Sequence, residues 1–178
     1  MNTLYAKTLL YAYPSIDDLI IQLDEVIKKK ALGSMTDCSP AEEQCIKVVQ
    51  LLMVKGLFFH LKKTLNNVLE TFSDEDYLYF DYKYFKSNPK SFYVDFDSVS
   101  RSYFRKQIKL LEKFCKKIEE QGITDEWFKS ECMTLEFFKN LYRHTCEREA
   151  LIVKAKNVQK KKVEKSENKV ENELNKSA

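Results

Sequence analysis

Glycine and proline are scarce in this chain, three of each in 178 residues. So few breakers exclude a fold of many short strands joined by tight turns, and they favour a small number of long helices. Histidine is rarer still, and the five cysteines (Cys38, Cys45, Cys115, Cys132, Cys146) are odd in number with no close pair. That argues against a secreted disulfide framework and against a short-spaced zinc site. The cysteines are therefore expected to be reduced thiols filling a core. Gly-rich phosphate loops, G-x-S-x-G and H-E-x-x-H are all absent. No catalytic residue, metal or cofactor is expected, and an enzyme is not the reading. Charges break up the hydrophobic stretches, and the N-terminus lacks the layout of a signal peptide. The expectation is a cytoplasmic protein with no membrane partner. Nor is there a large excess of one charge, since the net charge is +3. Any case for a polyanionic partner must rest on local clustering.

What is present is helical periodicity. Ser15 reads as a cap with Asp18 three residues on, ahead of the stripe Ile16, Leu19, Ile20, Leu23, Val26 and Ile27, and Gly33 reads as a stop. Residues 2 to 12 read as a short helix ended by Pro14. In CSPAEEQC, Ser39, Pro40 and Glu42 take the cap, N1 and N3 places of a helix that Gly56 would kink or break. FSDED restarts the pattern, with Ser73 as cap and Asp74, Glu75 and Asp76 where a helix dipole favours acids. FYVDFDSV, residues 92–99, is ambiguous between strand and helical turn. Thr124 caps a further helix carrying Trp127 and Phe128. The predicted organisation is all-α: an N-terminal helical region over 1–70, a helix-turn-helix over 72–118, a C-terminal helix over 123–155 and a disordered charged tail over 156–178.

The stretch SRSYFRKQIKLLEKFCKK, residues 100–117, carries Arg101, Arg105, Lys106, Lys109, Lys113, Lys116 and Lys117 against the single acid Glu112. At 100° per residue, Phe104, Ile108, Leu111, Cys115 and Ile118 share one arc, and the lysines lie opposite. A face built only for solvation usually mixes signs. The bias points to a polyanion, with Ser and Arg at the helix N-terminus suited to phosphate and guanine.

These residues resemble region 4 of bacterial sigma factors and the sigma-like regulators of phages and Firmicutes. FSDEDYLYFDYKYF, residues 72–85, lies on the first block of that pattern, fourteen residues separate Phe85 from Ser100, and SRSYFRKQIKLLEKF lies on the recognition helix. The match departs at Val94 and Ser98, where the family places Ala and Gly. The resemblance implies a sequence-specific regulator of transcription that binds duplex DNA through Ser100, Arg101, Ser102, Arg105, Lys106, Lys109 and Lys113, with RNA polymerase as a further partner. The alternative is an all-helical interaction adaptor of phage or mobile-element type without DNA binding. Its apolar stripes at 39–70 and 125–155 would dimerise or hold a partner helix.

Overall fold

A computed structural model describes residues 1–33, 40–85 and 101–154, of which 101–104 are described by backbone alone. Ser39, Cys38, FYVDFDSV and the tail from 155 onward lie outside the described residues, so the readings placed on them have no structural counterpart here. Every element among the described residues is helical, in agreement with the all-α expectation.

The helices are α1 (Thr3–Ala12), α2 (Ile16–Gly33), α3 (Ala41–Leu69), α4 (Asp74–Phe80), α5 (Arg101–Glu120), α6 (Asp125–Glu131) and α7 (residues 136–154). Local signals account for several starts. Asn2 accepts from the Leu4 amide at 2.9 Å, Ser73 from the Asp76 amide at 3.3 Å, and Thr124 from the Trp127 amide at 3.2 Å. Ser15 is not such a cap. It lies in a 3-10 turn, Tyr13–Ser15, and the chain stays in right-handed helical conformation into Ile16. Pro14 occupies an early position of that turn, where its missing N–H costs nothing, so α1 and α2 follow one another closely. After α4 the chain widens into a π-helical turn, Asp81–Phe85. The predicted C-terminal helix is two helices, α6 and α7, separated by a second 3-10 turn at Cys132–Thr134. Gly122, with φ of 87°, makes the left-handed turn that lets Ile123 fold back from α5.

The core gathers round α1. Ala6, Thr8, Leu9, Leu10 and Ala12 are completely buried. Thr8 satisfies its hydroxyl by donating to the Leu4 carbonyl at 2.8 Å. Tyr5 stacks on Phe128 of α6 at 4.7 Å and meets Tyr142 of α7 at 5.3 Å. Lys7 pairs with Glu149 of α7 at 2.6 Å, and the Asn2 amide donates to Asp125 of α6 at 2.6 Å. Phe58, Leu61, Leu65, Val68 and Leu69 of α3 and Leu110, Leu111, Phe114, Cys115 and Ile118 of α5 complete the core. Cys115 and Cys132 are buried, as expected of core thiols, whereas Cys45 is exposed.

The α2–α3 hairpin extends past this core. Residues 21–33 of α2 and 41–57 of α3 contain no buried side chain. Lys55 with Asp24 joins the two helices within this arm, and Lys62 with Asp17 at 2.6 Å joins them at its base, the Lys62 ammonium also lying 4.2 Å from the Tyr13 ring centroid. Gly56 does not break α3, which runs through it for 29 residues. Lys47 and Lys55 interrupt the apolar stretch of α3, as expected. One 18-residue window of α3 is apolar enough, by length and composition, to cross a membrane, and 11% of it is buried.

Two predictions follow from this packing. Leu61→Ala removes a fully buried side chain and is expected to cost about 2–4 kcal/mol, whereas in a single copy of the chain Gly56→Ala should stabilise the helix by about 0.5–1 kcal/mol, because the added methyl meets no atom of that copy. Urea denaturation of both variants checks the opposite signs. The second concerns alkali. Burial pushes the Cys132 thiol from an ordinary 9.0 up to about 12, and hydrogen bonding to Cys146, with burial, takes the Tyr142 phenol from 10.0 up to about 12. Both groups hold their protons in the folded chain at a pH where the unfolded chain releases them. Their contribution is therefore complete below pH 9 for the thiol and pH 10 for the phenol, and it is lost as pH rises toward 12. The urea midpoint should fall as pH rises from about 9 toward about 12, with a shallower fall in Cys132→Ala.

Candidate nucleic-acid interface

The sequence places its candidate site on α5. Its buried side consists of Leu110, Leu111, Phe114, Cys115 and Ile118, and the ring of Phe114 lies 5.9 Å from that of Phe80 on α4. Ile108, expected in the core, is 58% exposed, while Leu110 and Phe114, outside the expected arc, are buried, so the buried side is turned about the helix from the one the apolar pattern implied. Among the described side chains, Arg105, Lys109, Glu112, Lys113 and Lys116 lie on the exposed side. The segregation differs from the one the helical wheel predicts, since Ile108 is exposed and Lys106 and Lys117 are half-buried, while Lys116 joins the exposed cations. Ser100 lies outside the described residues. Arg101 and Ser102 are described only as backbone in the first turn of α5.

Lys106 behaves differently from its neighbours. Its ammonium lies 3.5 Å from Asp76 and 3.6 Å from Glu75, at the start of α4, and 4.4 Å from the centroid of the Tyr79 ring. It is turned onto the flank where α4 and the following π-helical turn dock. Lys83 of that turn donates to Gln107 at 2.8 Å beside it. The helix N-terminus of α4 concentrates acids for dipole reasons, and Lys106 answers them across the interface. The ammonium groups of Lys113 and Lys117 lie over the buried Phe72 ring, 4.8 Å and 5.9 Å from its centroid, and Lys113 as a whole remains exposed. Glu119, the nearest acid beyond the basic turn, is engaged by the amino group of Met1.

The outward cations thus number four among the described side chains: Arg105, Lys109, Lys113 and Lys116. Glu112 is the acid that shares their side within this turn of sequence. A helix of this kind offers point charges for successive phosphates. Neither His60 nor His144 belongs to this surface. His60 packs 5.8 Å from the Trp127 ring, and His144 lies 3.5 Å from Glu147 on α7. Among the described residues there is no cluster of three or more His, Cys, Asp or Glu side chains arranged to hold a metal ion.

The different settings of the lysines generate a test. Lys106→Ala should lower stability by about 0.5–1 kcal/mol by releasing α4 from α5, while Lys109→Ala should change it by less than about 0.5 kcal/mol. Paired denaturation curves measure the contrast, and equal effects would contradict the assignment of Lys106 to the helix interface. Comparison with protein-family models, with characterised proteins and with solved structures returned no match to this chain.

Proposed function

We propose that the chain is a helical DNA-binding regulator that acts in the cytoplasm and presents α5 to duplex DNA. The observation that carries this reading is the segregation of Arg105, Lys109, Lys113 and Lys116 on the exposed side of one helix whose opposite side is core. The resemblance of residues 72–85 and 100–114 to sigma factor region 4 supports it and supplies the orientation. In that orientation the α5 N-terminus, with Ser100, Arg101, Ser102 and Arg105, approaches the bases, and Lys109 and Lys113 meet phosphates. RNA polymerase is the further partner that the same resemblance implies. The pairing of Lys106 with Asp76 and Glu75 argues for moving that residue from phosphate contact to support of the α4–α5 contact.

Fluorescence anisotropy of labelled duplex DNA across a salt series tests the proposal. Four phosphate contacts imply a log–log slope of about −4. Arg105→Glu with Lys109→Glu should abolish binding, whereas Lys106→Ala should leave the slope unchanged. Absence of binding at low salt, or binding indifferent to the double reversal, would sink the reading. A second reading, an all-helical interaction adaptor, is favoured by the exposed apolar residues of α3. A stable protein partner that covers residues 100–117 and excludes DNA would establish it instead.

A further inference from the structure

The exposed apolar residues of α3 form one surface. Ile46, Val49, Leu52, Met53 and Phe59 are between 49% and 71% exposed. Cys45, Val49, Leu52, Gly56 and Phe59 follow one another at alternating steps of four and three residues, the spacing of a helix-pairing seam, and Ile46 and Met53 flank it. This seam lies opposite the side that buries Leu61 and Leu65, and it is bordered by Lys55, which pairs with Asp24 of α2 and holds its ammonium 5.3 Å from the centroid of the Phe59 ring. From Glu42 to Lys63 it is about 30 Å long at the usual helical rise. Gly56 lies in its middle. A methyl there would touch nothing in the chain, so the chain's own packing does not require the glycine, although a mid-helix glycine costs stability. A close approach from outside would require it.

We propose that this face pairs with the same face of a second copy, the two α3 helices running antiparallel about a two-fold axis between Leu52 and Met53. Charge and size both select that arrangement. Glu42 at one end of the seam and Lys63 at the other are exposed, and among the described residues neither is ion-paired. The two-fold axis sets Glu42 of each copy against Lys63 of the other, Val49 over Gly56, Ile46 over Phe59 and Cys45 beside His60. A parallel pairing would oppose Glu42 to Glu42 and Lys63 to Lys63, and would stack glycine on glycine, leaving a gap. The isologous arrangement closes on itself, so it yields a dimer and not a filament. The proposal stands on α3 alone and is independent of the nucleic-acid reading.

Sedimentation velocity of the full chain from micromolar to millimolar concentration tests it. The expected result is a dimer that Val49→Glu with Leu52→Glu converts to a monomer of unchanged helical circular dichroism. Glu42→Lys and Lys63→Glu, both at exposed positions that leave the core untouched, should each weaken the dimer roughly tenfold, and the two together should restore it. Register is read by oxidation. Antiparallel pairing holds the two Cys45 residues about 22 Å apart, far beyond disulfide reach, and brings Cys45 to the partner copy's position 60. His60→Cys should therefore crosslink to Cys45 of the other copy, as mapped by peptide mass spectrometry, and the unsubstituted chain should give no Cys45–Cys45 bridge. A monomer throughout the series overturns the proposal, whether or not it floats with phosphatidylcholine vesicles. So does a dimer that survives Val49→Glu with Leu52→Glu, or a Cys45–Cys45 bridge.

Discussion

The packing of this bundle depends on a helix with almost no outside. α1 has five residues at zero exposure in ten, among them two alanines and a threonine. Small side chains let neighbouring helices approach, and the larger Leu9 and Leu10 fill what remains between them. Because α1 touches α5, the π-helical turn after α4, and the α6–α7 pair, it fixes elements that are far apart in sequence. The Lys7–Glu149 pair and the Asn2–Asp125 hydrogen bond add direction to contacts that are otherwise non-directional. The surface of α5 inherits its orientation from this arrangement. With Leu110, Phe114 and Ile118 committed to the core, Arg105, Lys109 and Lys116 have nowhere to face but solvent.

Charge is sorted by the same geometry. Lys55 and Lys62 answer acids on α2, Lys7 answers α7, and Lys106 answers the acidic first turn of α4. Each of these joins two helices. What is left exposed on α5 is the remainder after the structural pairs are made, which is why a net charge of +3 is compatible with a distinctly cationic surface. The range of lysine environments also explains why a count of basic residues in a segment overstates its capacity for phosphate. Of two neighbours in sequence, Lys106 is committed to α4 while Arg105 is exposed.

Much of this was legible in the residues, and the failures share one cause. Caps such as Ser73 and Thr124 work through local hydrogen bonds, so the local sequence suffices to place them. Ser15 failed because Pro14 tolerates continued helical backbone at an early position, a matter of what precedes the cap and not of the cap itself. Periodicity finds an apolar arc but cannot say which part of it another helix covers. Ile108 is apolar and in phase with Leu111 and Cys115, yet it stays exposed. In α3 the sequence shows apolar residues along 39–70, but not that Leu61 and Leu65 enter the core while Val49 and Leu52 stay exposed. That Lys106 belongs to α4 was equally invisible, since the acids that hold it are some thirty residues upstream.

The arm formed by residues 21–33 and 41–57 contributes no buried side chain, and this sets a gradient along the hairpin. Beyond Phe58 the hydrogen bonds of α3 are shielded by the core, and before it they rely on α2 alone. Residues 21–33 and 41–57, which bury no side chain, therefore form a separate cooperative unit with a smaller free-energy cost of opening than the bundle. A contact made along this arm would stiffen it.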